Sequence, residues 1–505
     1  MRNNNRSLWL ETTPKTNYDS LKGDLKTEVA IIGGGMVGIT TAYLLKKAGV
    51  KVTILESNRI CEGTTGNTTA KITSQHDIIY TKISGNYGKE SAAQYALGNQ
   101  KAIEKIKEII RENKIHCDFK EQTAVVYTLL EENLPKIYDE VTTAKDLGLP
   151  ARYIEKSKLP FEIKGGIAFD NQGQFHPRKY LLALAEIIHE NEGQCQIYEN
   201  SRVIDFEEEK TGYKLITKEG TVYADKVVVA THFPIFNRYG LYFVKMHAER
   251  SYVLGIKAPD FPLDGMYISY EKSGKSFRTQ EVNGDQLILL GGEAHRTAEE
   301  YNTQQCYNNL FDYANTIYDG KFELQYKWSA QDMIPLDDIP YIGSYGKNTE
   351  GMYVATGFKK WGMTSSTVAA MIISDDILKK ENNFKQIFSA QRFDLTPSLM
   401  EIGGNVKEAT KNLISARLNN TTKTLEDLKV GEGEHIIYEG KKMGAYKSED
   451  GKTYIVEIVC PHLGCELSFN NAEKSWDCPC HGSRYTIEGE IIESPTVEPL
   501  KLIVL

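Results

Sequence analysis

Six side chains near the C-terminus carry the densest chemistry of this 505-residue chain: Cys460, His462, Cys465, Cys478, Cys480 and His481. They fall in two short stretches, CPHLGC and CPCHGSRY, which together read Cys-x-His, fifteen residues, then Cys-x-x-His. Two thiolates and two imidazoles at that spacing suit two kinds of metal centre. Zinc would gather them around one tetrahedral ion. A two-iron, two-sulfide centre would instead put both cysteines on one iron and both histidines on the other. The other cysteines, Cys61, Cys117, Cys195 and Cys306, are scattered, so the crowded group is a site and not a disulfide framework.

A second constellation lies at the other end, in EVAIIGGGMVGITTAYLLKKAGVKVTILE, residues 28–56. Val29, Ala30, Ile31 and Ile32 form the apolar run of a buried parallel strand, and Gly33, Gly35 and Gly38 follow it in GxGxxG spacing. The first glycine permits a tight turn, the second lets a pyrophosphate approach the backbone, and the third lets the helix pack on its strand. The helix N-terminus then offers free amides and a positive dipole end to the anion. Glu56 closes the second strand, where an acid can hold ribose hydroxyls. Strand, turn, helix, strand and acid agree on a dinucleotide site.

The length suits about two to four domains. The net charge of -8, with acids and bases mixed along the chain, leaves no basic footprint for nucleic acid and no polybasic membrane patch. The opening MRNNNRSLWLETTPKTNYDS lacks the apolar core of a secretory signal, and no window is apolar enough for an integral membrane segment. A cytoplasmic protein is the expectation.

Between the two constellations the sequence spaces out the elements that must position them. SNRICEGTTGNTTAKITSQH has the small polar residues of a loop under a bound nucleotide, ending in Lys71 and His76. Lys71 is a candidate for stabilising negative charge on a reduced flavin ring; the plainer reading is a solvated lysine beside a capping histidine. Helical spacing marks residues 89–114 and 131–147, and PRKYLLALAEIIHENEG opens with proline and ends on glycine, with His176 as its cap. Strands then lead to a second buried run at Val227–Ala230. From about 240 to 330, RSYVLGIKA, GMYISYE, KSFRTQEV and DQLILLGGEAH alternate as an antiparallel, substrate-facing layer. Arg250, Tyr252 and Arg278 are its candidates for gripping a substrate carboxylate, and His295 reads as a loop residue. In MYVATGFKKWGMT the strand–turn–helix grammar returns, with Trp361 in the turn.

Taken together, IIGGGMVG with Glu56, GTTGNTTA, VVVATH, DDIPYIG, GMYVATGFKKWGMT and the closing QRF resemble the D-amino acid oxidase-like flavoproteins, a family including glycine, sarcosine and glutamylputrescine oxidases. The resemblance implies FAD, and oxidation of a carbon next to an amine nitrogen by hydride transfer. It implies FAD contacts at Gly33, Gly35, Gly38, Glu56, Thr68, Thr69, Val203, Gly362, Met363 and Thr364. The substrate residues do not carry over, so Arg250, Tyr252 and Lys71 remain candidates.

CPHLGC and CPCHGSRY resemble the two boxes of Rieske proteins, particularly those of cytochrome bc complexes. This resemblance implies a 2Fe-2S cluster with Cys460 and Cys478 on one iron and His462 and His481 on the other. It further implies a Cys465–Cys480 disulfide, or two reduced thiols in a cytosolic setting, and Ser483 and Tyr485 as hydrogen-bond donors to sulfur. Such donors favour the reduced cluster, in the upper part of a range of roughly -150 to +300 mV. SPTVEP, residues 494–499, is the implied proline loop over the cluster.

The expected architecture is an α/β FAD-binding Rossmann-like domain with an inserted α+β substrate domain built on an antiparallel sheet, plus a small all-β Rieske domain. The flavoprotein part covers 1–394, with nucleotide-binding parts at about 27–80, 165–235 and 335–394 and substrate parts at about 81–164 and 236–334. A linker with one helix takes 395–425, and the Rieske domain takes 426–505. The expected function is a dehydrogenase: an amine or amino acid reduces FAD, and the cluster passes electrons singly to an external acceptor, protein or quinone. Two alternatives stay open, a reductase with electrons entering at the cluster, and a redox-responsive or electron-transfer protein without turnover.

Overall fold

The computed structural model describes residues 5–190, 195–236, 239–258, 263–272, 274–299, 302–392 and 421–505. Most of the expected linker, 395–420, and Phe393 of the QRF stretch lie outside these residues. What is described of the linker ends in a short 3-10 turn, Leu425–Asp427, closed by a Thr424/Asp427 capping box.

The apolar run at 29–32 becomes the last turn-ward part of a strand, Gly23–Ile32, at the centre of an eight-stranded sheet. It pairs in parallel with Val52–Leu55 and with Gly220–Val229, and the latter pairs in parallel with Met352–Thr356. These strands are buried on both faces, which is why their sequences are continuous runs of Val and Ile. The helices Met36–Lys47 and Gly362–Ile377 pack together on one face. All three expected returns to the nucleotide sheet, at 29–32, 227–230 and 352–356, are thus neighbours in it, with their C-terminal ends on one side.

The second sheet has nine strands among the described residues and is antiparallel except where Met266–Ser269 runs parallel to Lys120–Thr128. Met246–Lys257 lies between Glu323–Pro335 and Asp285–Arg296. One boundary is corrected: the strand Gly165–Gln174, expected in a nucleotide-binding part, pairs with Lys120–Thr128 and belongs to this second sheet, as does Lys71–Ile72. Its alternating polar tail, FDNQGQ, suits an antiparallel partner better than a parallel core. The expected helices appear as Tyr80–Glu112, broken by left-handed Gly88, as Leu134–Asp146, and as Pro177–His189. His176 caps the last of these by accepting from the Lys179 amide.

The C-terminal domain is two four-stranded antiparallel sheets. One contains Gly433–Tyr438, Lys441–Lys447, Thr453–Val456 and Leu502–Val504. The other contains Ser468–Asn470, Ser475–Asp477, Arg484–Thr486 and Ile491–Glu493. Trp476, fully buried, and Leu467, Ile458 and Tyr485 form its core beside the cysteines. Among the described residues no helix is long and apolar enough to cross a membrane.

Candidate functional site

A cavity of about 1390 Å³ opens at the C-terminal ends of the parallel strands and continues across the second sheet to the C-terminal domain. At its nucleotide end, Gly33 and Gly35 line it, with the Gly35 cap of the helix Met36–Lys47 beside them. Gly33 has φ 109°, and a Cβ there would meet the Ala230 carbonyl oxygen at 2.5 Å. Gly38 does not line the cavity; a Cβ on it would lie 1.9 Å from the Gly33 carbonyl oxygen, so it permits the helix to press on the turn. The cradle is thus mainly backbone, with the Thr65 hydroxyl accepting from the Met36 amide at 3.2 Å at the helix start, and it fits a dinucleotide pyrophosphate.

Glu56, Thr68, Thr69, Val203, Gly362 and Met363 also line the cavity. Glu56 accepts from the amides of Gly34, at 2.8 Å, and Asn58, at 2.9 Å, so its carboxylate is held at the turn. Thr364 is the expected contact that faces elsewhere: its hydroxyl accepts from the Thr73 amide at 2.9 Å, pinning the 73–76 segment to the helix start. Trp361 lines the cavity, stacks on His76 at 4.9 Å between centroids, and keeps a buried indole N–H with no hydrogen-bond partner. His76 is therefore a buried packing partner rather than an exposed cap, bonded to Tyr95 and the Thr73 carbonyl, and burial lowers its pKa to about 3.

Lys71 is likewise not a solvated lysine. It points into the cavity, touches the Thr69 hydroxyl at 3.0 Å, and has its pKa drawn down to about 7 by burial and then by Arg278. Arg278 itself is lost as a substrate grip, because its guanidinium is fully buried and donates to the carbonyls of Thr69, Ala70, Phe175 and Thr279. It fastens the 69–70 loop to the second sheet.

Arg250 and Tyr252 do face the cavity. They flank a β-bulge between Met246–Lys257 and Asp285–Arg296, and such a bulge re-aims side chains. Tyr252 bonds His295 at 3.0 Å, which places His295 in the strand Asp285–Arg296 and not in a loop. Arg250 is 1% exposed; it donates to the Ser329 hydroxyl through Nη2, whereas its Nε and Nη1 have no hydrogen-bond partner. Buried guanidinium donors left unpaired are costly, so this edge fits an incoming anion. Asp332, in the neighbouring strand, has its carboxyl pushed up to about 7 by burial.

The C-terminal domain forms one wall of the same cavity through Glu473, Arg484, Ile491, Ile492, Glu493, Ser494 and Val497. Gln331 of the second sheet donates at 2.8 Å to both the Gly482 carbonyl and Glu493. Ser494 donates to the Thr231 carbonyl at 2.9 Å, and Tyr307 to Glu473 at 2.9 Å. Gly482, in the second cysteine box, has no room for a Cβ, which would lie 2.6 Å from the Ala248 Cβ. Arg484 is buried against Asp477 at 3.0 Å and Glu493 at 2.6 Å.

In this domain Cys465 and Cys480 form a disulfide, with Cα atoms 6.4 Å apart, which ties the two boxes together. Cys478 Sγ lies within 4.8 Å of both disulfide sulfurs, but those two are committed and leave Cys460 and Cys478 as the thiols. The Cys460 thiol pKa falls to about 6, chiefly through its hydrogen bond with Cys478 and also through Tyr485 and Ser483. Tyr485 Oη sits 3.4 Å from Cys460 Sγ. The His462 and His481 rings are 5.0 Å apart, and burial holds their pKa values at about 4 and about 3, so both are neutral imidazoles able to ligate. His481 Nδ1 is buried with no hydrogen-bond partner. Two cysteine sulfurs and two neutral imidazoles fit a cluster with mixed ligation.

Phe233 touches both imidazoles, its centroid 6.3 Å from that of His462 and 6.0 Å from that of His481. It follows Ala230, Thr231 and His232, which line the cavity at the end of the strand Gly220–Val229. Phe233, Gln331, Asp332 and Glu493 carry no motif, and nothing in the sequence singles them out; only docking of the two parts brings them together.

Comparison with known proteins agrees with this two-part layout. Residues 28–375 match the FAD dependent oxidoreductase (DAO) family, and residues 421–503 match the Rieske 2Fe-2S domain. A protein of Bacillus subtilis (strain 168), YhfW, provisionally named a Rieske 2Fe-2S iron-sulfur protein, is 39% identical over 498 residues, 98% of this chain and 97% of its own. The gamma-glutamylputrescine oxidoreductase of Escherichia coli (strain K12) is 22% identical over 400 residues, 76% of this chain and 88% of its own. The crystal structure of glycine oxidase from Geobacillus kaustophilus superposes with a TM-score of 0.59 at 21% identity, over 74% of this chain and all of that one, a likeness of fold.

Proposed function

From the premise that the chain belongs to the FAD dependent oxidoreductase family and carries a Rieske 2Fe-2S domain, we propose that it is a dehydrogenase of a small amine or amino acid. FAD supplies the acceptor for a hydride from the carbon beside nitrogen, and the 2Fe-2S cluster supplies a one-electron outlet to an external acceptor, protein or quinone. In the reaction as a whole the substrate loses two electrons and two protons and becomes an imine.

The observation that carries this reading is the shared cavity: one wall is the nucleotide cradle, one the second sheet, and one the cluster domain. Gly33, Gly35, Glu56, Thr68, Thr69, Val203, Gly362 and Met363 would hold FAD, with Gly38 and Thr364 shaping the cradle from behind. Cys460, His462, Cys478 and His481 would hold the cluster. Arg250 presents its unpaired edge to a substrate carboxylate, Tyr252 and His295 flank it, and Lys71, with a pKa of about 7, can take the ammonium proton that must leave. Phe233 fills the space between the cavity strand and the cluster histidines. The net charge of -8, with acids and bases mixed along the chain, argues against a nucleic-acid partner.

Anaerobic addition of amines and amino acids to purified holoprotein tests this. Bleaching of the flavin band followed by a reduced-cluster EPR signal is expected. In His462→Ala and Cys478→Ser the cluster signal should vanish while substrate still bleaches the flavin. Loss of bleaching in a folded, FAD-loaded variant would refute the relay.

A further inference from the structure

We propose that Glu493, a residue of the cluster domain, is a specificity-determining residue of the substrate site, where it is a fixed negative charge beside which a substrate carboxylate must bind at Arg250. This rests on the reading of the shared cavity as the substrate site.

Three observations carry it. Glu493 lines the cavity together with Arg250 and Ser329, although it comes from a different domain. Its Oε1 lies 3.8 Å from Arg250 Nη1, close enough for attraction and too far for a hydrogen bond. Arg250 keeps Nε and Nη1 without hydrogen-bond partners while 1% exposed, so a better-placed carboxylate would find a bidentate edge open.

Glu493 is also held where it stands. Arg484 donates to Oε1 at 2.6 Å and Gln331 donates to Oε2 at 2.8 Å, so it stays in place when a ligand arrives. Its negative charge therefore opposes every anion at Arg250 and selects substrates that bring further contacts. Asp332 lies near enough to Lys360, Glu249, Glu493 and Arg250 to feel their charges, and Lys360 is paired to Glu249 at 3.3 Å. The local field is thus nearly balanced, and one carboxylate more or less decides the anion affinity. The consequence is that the affinity of the flavin-side cavity depends on the cluster domain being docked.

The test is calorimetric and absorption titration of the holoprotein with benzoate as a plain carboxylate probe. Glu493→Gln keeps one oxygen, which can still accept from Arg484, replaces the oxygen that accepts from Gln331 with an NH2 group, and removes the charge. It should tighten benzoate by about tenfold or more, and Glu493→Asp, which draws the carboxylate back by one methylene, should give a smaller gain. Adding Arg250→Gln to Glu493→Gln should abolish the gain. Equal affinity in wild type and Glu493→Gln, with FAD content and cluster signal intact, overturns the proposal, as does a gain that survives Arg250→Gln or no measurable benzoate binding to either protein. Failure of the dehydrogenase reading would show separately, as a flavin that no amine bleaches.

Discussion

Replacing Tyr485 by Phe removes one oxygen from a fully buried side chain and leaves its ring in the core. That oxygen is 3.4 Å from Cys460 Sγ, a geometry for an O–H donor to a sulfur ligand. A hydrogen bond to a charged acceptor contributes about 1.5–3 kcal/mol. Both redox states keep part of it, since both carry thiolate, and the extra electron strengthens the remainder. If that remainder is about 1 kcal/mol, the potential falls by about 40 mV, at roughly 59 mV per tenfold for one electron. The assay is an EPR-monitored potentiometric titration of holoprotein, comparing Tyr485→Phe with wild type at one pH. A potential that rises, or that moves by less than about 10 mV with the cluster signal intact, would refute the idea that this hydroxyl stabilises the reduced centre.

Four further outcomes can be checked. Gly38→Ala places a methyl on the Gly33 carbonyl; overpacking of about 3 kcal/mol would weaken FAD by roughly 100-fold, read as flavin content after purification. Arg484→Met leaves buried Asp477 and half-buried Glu493 without the cation that bridges them, and a loss of about 3 kcal/mol should lower the melting temperature and release the cluster signal. Phe233→Ala opens the gap between the cavity strand and the two histidines, so stopped-flow transfer from flavin to cluster should slow by tenfold or more while each centre keeps its spectrum. Lys71 has a folded pKa of about 7, below the unfolded value near 10.4, so its burden is full below pH 7 and fades as pH rises toward 10. Lys71→Met should therefore stabilise the cofactor-free protein by about 1–2 kcal/mol at pH 6–7 and by little at pH 10, read by thermal melts.

Local rules made much of the fold and both centres legible. The run of Val and Ile before Gly33 could only be a strand buried on both faces, and GxGxxG could only be useful at its end. The helix at Pro177–His189 followed from its proline, its cap and its spacing. Strand Gly165–Gln174 joins the second sheet and not the nucleotide sheet, a choice that a short apolar run does not encode. Lys71 and His76 are buried although polar residues in a small-residue loop look exposed until a sheet closes over them, and Arg278 turns from the cavity because strand alternation does not say which carbonyls a guanidinium will meet.

The sequence by itself determined the spacing of the cysteines and histidines in the two boxes, the glycine turn after the first buried strand and the alternation of the second sheet, because each depends on spacing along a few dozen residues. Only the tertiary structure decided that the cluster box at Gly482 rests on Ala248 and Gln331, that Phe233 meets both histidines, and that Arg250 faces Glu493. Those partners are separated in the chain by more than two hundred residues or by a domain boundary, and contact between them is set by how whole sheets pack, which no local pattern encodes.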